Sequence, residues 1–276
     1  MATRAKRQHL SAQSYLRRFA NGNDQVTVYD KRTGGEYTTS IANVEVEANF
    51  YTLPGPDGAP TDVVEKFIAS EIEGPAVDAF DRLVADRFPP TPEDRRTIAE
   101  FMALQMVRGR AFRNMHDESA ERAAAKEIKP RIELTPEENE RLQRTAGEAF
   151  LQMATAQPFR IGTMLEMAEK TVPYLLDAAW VLVRTAHAPT SDLPVIAWEE
   201  KTKTAGFFIG LSVATEINFA VSPERVLVLN RRKPPLIANV VADAPEGWRK
   251  QFPGLVMQTA QRYVYRRPGT ALGGAS

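Results

Sequence analysis

"QVTVYDKRTGGEYTTS", residues 25–40, decides the fold. "QVTVYD" (25–30) and "EYTTS" (36–40) carry the alternating pattern of strands, and "KRTGG" between them places Gly34 and Gly35 where a tight turn needs them. The stretch therefore reads as a β-hairpin. Outward from it, "ANFYTLPGPDGAPTD" (48–62) is a proline- and glycine-rich loop, and from Asp62 to about Lys170 the pattern turns helical. Val64, Phe67, Ile68 and Ile72 form one apolar stripe. After "GP" at 74–75, Ala76, Ala79, Phe80, Leu83 and Val84 form another. "TPEDRR" (91–96) and "TPEENE" (135–140) are both helix starts, with threonine as cap, proline at the first position and acids in the first turn. Residues 119–134 are charged and alanine-rich, a solvated helix end and connection.

The last third reads differently. "WVLVRTA" (180–186), "PVIAW" (194–198), "EINFAV" (216–221) and "RVLVLN" (225–230) are strand patterns. A helix follows from about Pro245 to Arg262 with Pro253 as a break point, then a short strand "YVY" (263–265). Strands at both ends around helices predict an α+β fold. Its central helical block packs with a mostly antiparallel sheet formed by the N-terminal hairpin and the C-terminal strands. We expect one domain over residues 1–270 and a disordered tail at 271–276.

Composition narrows the function. Lys plus Arg and Asp plus Glu number 35 each, so the formal charge is zero and dedicated non-specific nucleic-acid binding is disfavoured. Basic patches remain at Arg4, Lys6, Arg7, Arg17 and Arg18, and at Arg231, Arg232 and Lys233. The absence of cysteine excludes disulfides, thiolate metal sites and a cysteine nucleophile. With only His9, His116 and His187, any divalent metal would lean on carboxylates. The N-terminus lacks a secretion-type apolar region, and the longest apolar runs, such as "AAWVLV" (178–183), are too short to span a bilayer, so a soluble cytoplasmic protein is expected.

Polar residues on apolar faces supply the site candidates. In the helix after Thr91, Ile98, Phe101, Met102 and Phe112 share a stripe on or beside which Gln105 and Arg108 also fall. An arginine there is paired or lines a cavity, because an unpaired buried charge costs several kcal/mol. Glu71, placed by α-helical phase near the middle of the other stripe, is the expected partner of Arg108. His9 precedes a short helix whose face is Ala12, Tyr15, Leu16 and Phe19, and serves as hydrogen-bonding anchor or proton carrier. In "APTSDLPV" (188–195), Ser191 and Asp192 either cap a turn or present a carboxylate at a strand end. Asp192 with Glu199 and Lys201 imitates a nuclease D…E-x-K set. A strand between them separates the acids by roughly 23 Å at about 3.3 Å per residue, which rejects it. "His116-Asp117" lacks the further histidines of a metal-dependent phosphohydrolase and is placed on an exposed helical turn.

Several motifs in order carry a resemblance. They are H-x-x-x-Q-x-Y-L-R-x-F at 9–19, Y-D-K-x-T-G at 29–34, N-F-Y at 49–51, Q-x-x-R at 105–108, T-S-D-x-P-V at 190–195 and S-P at 222–223. The series resembles the bacterial family called domain of unknown function 4238, over residues 9 to about 265. Family members more often carry proline where this chain has Ser11 and asparagine where it has Leu193. The resemblance implies a single-domain architecture and points to His9, Gln13, Asn49, Gln105, Arg108, Ser191 and Asp192; it supplies no reaction.

Two functions fit these residues. In one, His9, Glu71 and Asp192 are catalytic and Gln13, Asn49, Gln105, Arg108 and Ser191 bind, forming a hydrolase-like site for a phosphoester or nucleotide-type anionic ligand, with a divalent ion or an activated water at the acids. In the other, the same residues are a structural Glu-Arg-Gln network inside a binding or scaffolding module.

Overall fold

The computed structural model describes residues 7–126, 133–200, 202, 204–205, 211, 213–232, 235 and 237–271. Most of the expected tail, Lys201, Lys233 and the first six residues lie outside these. The chain opens with β1 (Arg7–His9) and α1 (Gln13–Leu16), followed by one 3-10 turn, Arg17–Phe19. The hairpin comes next as β2 (Gln25–Asp30) and β3 (Gly35–Ser40). Its turn is closed by Thr33 and Gly34 N–H groups donating to the Asp30 carbonyl, with Gly34 at φ +71°, where a side chain would be strained. Then come β4 (Val46–Ala48), the two-residue strands β5 (Leu53–Pro54) and β6 (Pro60–Thr61), and the helices α2 (Val63–Phe67), α3 (Gly74–Val84), α4 (Pro92–Val107), α5 (Arg110–Ala124), α6 (Pro136–Ala154) and α7 (Gln157–Leu176). The last third holds β7 (Ala179–Arg184), β8 (Thr190–Ser191), β9 (Val195–Glu199), β10 (Thr204–Ala205), β11 (Glu216–Ser222), β12 (Arg225–Asn230), β13 (Val240–Asp243), α8 (Glu246–Thr259) and β14 (Tyr263–Arg266).

The fold is α+β, with helices packed against mostly antiparallel sheet. The C-terminal strands divide between two sheets. One runs β10-β9-β11-β12-β7-β13; the hairpin joins the other, β3-β2-β14-β8. Among the described residues only β13 pairs in parallel, with β7, and its four residues follow no alternation that marks them as a strand beforehand. The final helix passes through Pro253 without a break.

Helix α4 is enclosed on nearly every side, with Ile98, Ala99, Phe101, Met102, Ala103 and Leu104 all fully buried. Phe101 meets Phe80 of α3 at 4.9 Å between centroids, edge to face, and Phe219 of β11 at 6.2 Å. Tyr15 of α1 stacks on Phe219 at 5.2 Å, so the predicted apolar face of the first helix is anchored in the same cluster. Its hydroxyl bonds Thr190 Oγ1 and donates to the Ala220 carbonyl, joining the two sheets.

Between α2 and α3 the helix widens into a π turn, Ile68–Glu73. Pro75 has no N–H to give, and its ring crowds the carbonyl four residues back, so the turn ahead of it opens. The Gly74 N–H reaches back five residues to the Ala69 carbonyl, and a Cβ at Gly74 would lie 3.2 Å from that oxygen. The wide turn holds one residue more than an α turn, and helical phase shifts across it.

Candidate functional site

That shift decides which acid meets Arg108. Glu71 is exposed and accepts from the Ser70 hydroxyl, whereas Glu73 turns inward. The expected Glu71–Arg108 pair is therefore replaced by Glu73–Arg108, Nη1 to Oε1 at 2.5 Å, because an α-helical count of 3.6 residues per turn does not hold through residues 68–73.

Arg108 caps the C-terminal end of α4 and is 3 % exposed, as its position on the apolar stripe requires. Each guanidinium nitrogen has a partner. Besides the pair with Glu73, Nη2 donates to the His9 carbonyl at 2.8 Å and Nε to the Tyr51 hydroxyl at 3.2 Å. Burial alone would lower its pKa, but Tyr51 and Glu73 outweigh this and hold the charge more firmly than usual. Tyr51 is itself buried, and burial raises its phenol.

Strand alternation on β1 puts Gln8 fully inside and His9 at the boundary. Gln8 accepts from the Tyr51 N–H at 2.7 Å and donates to Glu65 Oε2 at 3.1 Å, fixing both. His9 Nε2 lies 3.3 Å from the Ala42 carbonyl, and the Gln13 amide contacts the ring 2.7 Å from Nε2 and 3.2 Å from Nδ1. His9, Gln13, Tyr51, Glu65, Glu73 and Arg108 wall a recess of about 160 Å³, floored by Ile68 and Ala69 of the π turn. One water needs about 10–15 Å³ of such space, so the recess can admit a small polar group.

Two of its groups are displaced in opposite directions. Burial lowers the His9 imidazole, with Arg108 and Arg7 acting the same way and the Ala42 carbonyl opposing. Burial raises the Glu65 carboxyl against the hydrogen bond from Gln8. The recess thus holds a neutral base beside a carboxyl that keeps its proton above the ordinary range.

Asp192 is elsewhere. Its carboxylate accepts from the backbone N–H groups of Gln261, Arg262 and Tyr263 at 2.9, 2.7 and 3.0 Å, pinning the start of β14. Burial nonetheless raises its pKa against these bonds. Glu45, at φ +48°, points its carboxyl toward the Ser11 hydroxyl. Burial and the nearby Asp192 charge push that carboxyl up to about 8. Ser191 is buried and closes a local turn, its hydroxyl donating to the Leu193 carbonyl and accepting from the Leu193 N–H. Asn49 is exposed at φ +60°, with its carbonyl near the Gln157 amide. Gln105 is buried, and its amide nitrogen has no partner among the described residues.

The recess brings together His9, Gln13 and Arg108 of the sequence candidates and leaves Glu71, Asn49, Gln105, Ser191 and Asp192 outside its walls. It adds Glu65, Glu73 and Tyr51. Among the described residues, no group of three or more acids and histidines could hold a metal ion. The His116-Asp117 pair is not on an exposed turn. The His116 side chain is 10 % exposed, and Asp117 takes both nitrogens of a fork from Arg160 at 2.8 and 2.5 Å.

No helix among the described residues is long and apolar enough to cross a membrane. No curated protein and no solved structure matches the chain. A family model described as "Protein of unknown function (DUF4238)" matches residues 7–270, nearly the whole length, and the chain belongs to that family.

Proposed function

We propose that the recess is a hydrolase-like site acting on a phosphoester or nucleotide-type ligand. The observation that carries this reading is one recess walled by His9, Glu65 and the buried Arg108, where burial favours a neutral imidazole and a protonated carboxyl. Pairs of titratable groups pushed apart by their surroundings are how a site divides acid from base work. Neutral His9 takes the proton of an attacking water, whose oxygen bonds to phosphorus as the ester P–O bond breaks. Protonated Glu65 gives its proton to the leaving oxygen. The guanidinium N–H groups of Arg108 that remain after its three protein contacts steady the charge that develops. Because Glu73 already balances Arg108, the recess suits a singly charged phosphodiester better than a doubly charged monoester.

A second reading has its own observation. The three protein partners of Arg108 suit a structural network, and the recess then binds without turnover. Assay of bis-(p-nitrophenyl) phosphate and p-nitrophenyl phosphate separates the two. Turnover of the diester, highest on the acid side of neutrality and reduced about 10²–10⁴-fold in folded His9→Gln and Glu65→Gln variants, supports the hydrolase. Absence of turnover with either ester sinks it. A thermal shift by the diester without turnover then favours the binding module.

A further inference from the structure

A separate chamber of about 150 Å³ lies on one face of the four-stranded sheet. Tyr37 stands opposite Val28, and Val28 opposite Tyr265, so these side chains form a row across β3, β2 and β14, with Tyr263 two residues further along on the same face. Residues 43–46 and Arg110 close the chamber from above, and Glu45 among them holds its left-handed backbone at φ +48°.

Tyr265 is fully buried, yet its hydroxyl has no hydrogen-bond partner among the described residues. Buried hydroxyls are rarely left so. Burial raises its phenol most, and the neighbouring acidic groups Glu45, Asp192, Tyr263 and Tyr37 act the same way. The nearby cations are committed. Arg110 donates to Glu47 at 3.0 Å, Arg108 is paired with Glu73, and Lys31 is held by the carbonyls of Gln258 and Ala260. The interior therefore offers carboxyl and phenol oxygens as acceptors, and Glu45 becomes an anion there once it gives up its proton. Its tyrosine rings suit a cation, and Tyr263 already carries the Arg262 guanidinium 4.6 Å from its centroid. With no three-ligand group for a metal ion among the described residues, the chemistry that fits is an organic cation bearing N–H donors.

We propose that this chamber binds a primary ammonium group, held between the Glu45 carboxylate and the Tyr265 hydroxyl beside the Tyr37 and Tyr263 rings. Glu45, protonated near neutrality in the empty protein, must ionise to pair with it. Binding then releases a proton and tightens as pH rises.

The test is calorimetric titration of the full chain with n-propylammonium, n-propanol and propionate, at about pH 6.5 and about pH 8.5, in buffers of different ionisation enthalpy. Propylammonium alone should bind, more than about tenfold tighter at the higher pH, with proton release at the lower one. Glu45→Gln should abolish binding. Tyr265→Phe, which removes only an unbonded hydroxyl and leaves the fold intact, should weaken it about fivefold. Nα-acetyl-lysine methylamide separates the two sources of an ammonium group. Tighter binding than propylammonium assigns the site to a lysine side chain, and equal or weaker binding to a free amine. Equal binding of propanol or propionate, affinity independent of pH, an unchanged affinity in Tyr265→Phe, or no heat of binding at tens of millimolar propylammonium would each overturn the proposal.

Discussion

Arg108 and Glu73 are joined at 2.5 Å across the wall of the recess, one from the end of α4 and the other from the π turn. Their side chains are 4 % and 18 % exposed, so neither charge has much water to fall back on. Removing one partner leaves the other buried and alone, which costs about 3–5 kcal/mol. Glu73→Ala should therefore destabilise by about 3 kcal/mol in urea unfolding, while Glu71→Ala, on the exposed side, should stay within about 0.5 kcal/mol. The reverse order would show that the helix keeps α phase through residues 68–73.

Asp192 is predicted to act as a fastener. Asp192→Ala strips the acceptor from three backbone N–H groups at the start of β14 and should cost about 2–4 kcal/mol. Hydrogen exchange should quicken at residues 261–266 before it does in β11 or β12. A loss under about 1 kcal/mol, with exchange unchanged, would contradict the assignment.

Glu45 has a pH signature whose sign is fixed by linkage. Its folded pKa is raised from an ordinary 4.5 to about 8, so its contribution is fully present below 4.5 and is lost as pH climbs toward 8. His9 acts oppositely: its lowered pKa removes stability as pH falls below 6.5. Comparing wild type with Glu45→Gln isolates the first effect. The variant should gain on wild type between these pH limits by at least about 1.4 kcal/mol, the equivalent of one pKa unit. Parallel curves of unfolding free energy against pH would sink this.

Much of the fold was legible because its signals are local. The hairpin at 25–40, the threonine-proline helix starts, the buried face of α1 and five of the later strands each rest on residues within one window. The division of the C-terminal strands into two sheets rests on pairings such as Tyr263 with Asp30, which no window contains. For the site, helical phase found Arg108 and Gln105 because α4 is a regular helix. It missed Glu73 because periodicity assumes a constant number of residues per turn. The dipeptide Gly74-Pro75 inside an apolar stripe was the available signal for a change of phase. Glu65 and Gln8 gave no such signal, since a polar residue at a helix start or on an edge strand is ordinary until its neighbours in space are known.

The order of the four-stranded sheet bears on how the protein is made. β14 pairs with β2 on one side and β8 on the other, so the hairpin reaches the rest of its sheet through the last residues of the match. A ribosome adding about 5–20 residues per second emits β2 and does not reach β14 until on the order of ten seconds or more have passed. During that interval the edge of β2 faces solvent with its ladder groups unpaired, a template for any passing strand. Vectorial synthesis thus leaves the earliest hairpin as the last piece to be seated, and a nascent chain halted before Tyr263 would expose that edge for as long as it persisted.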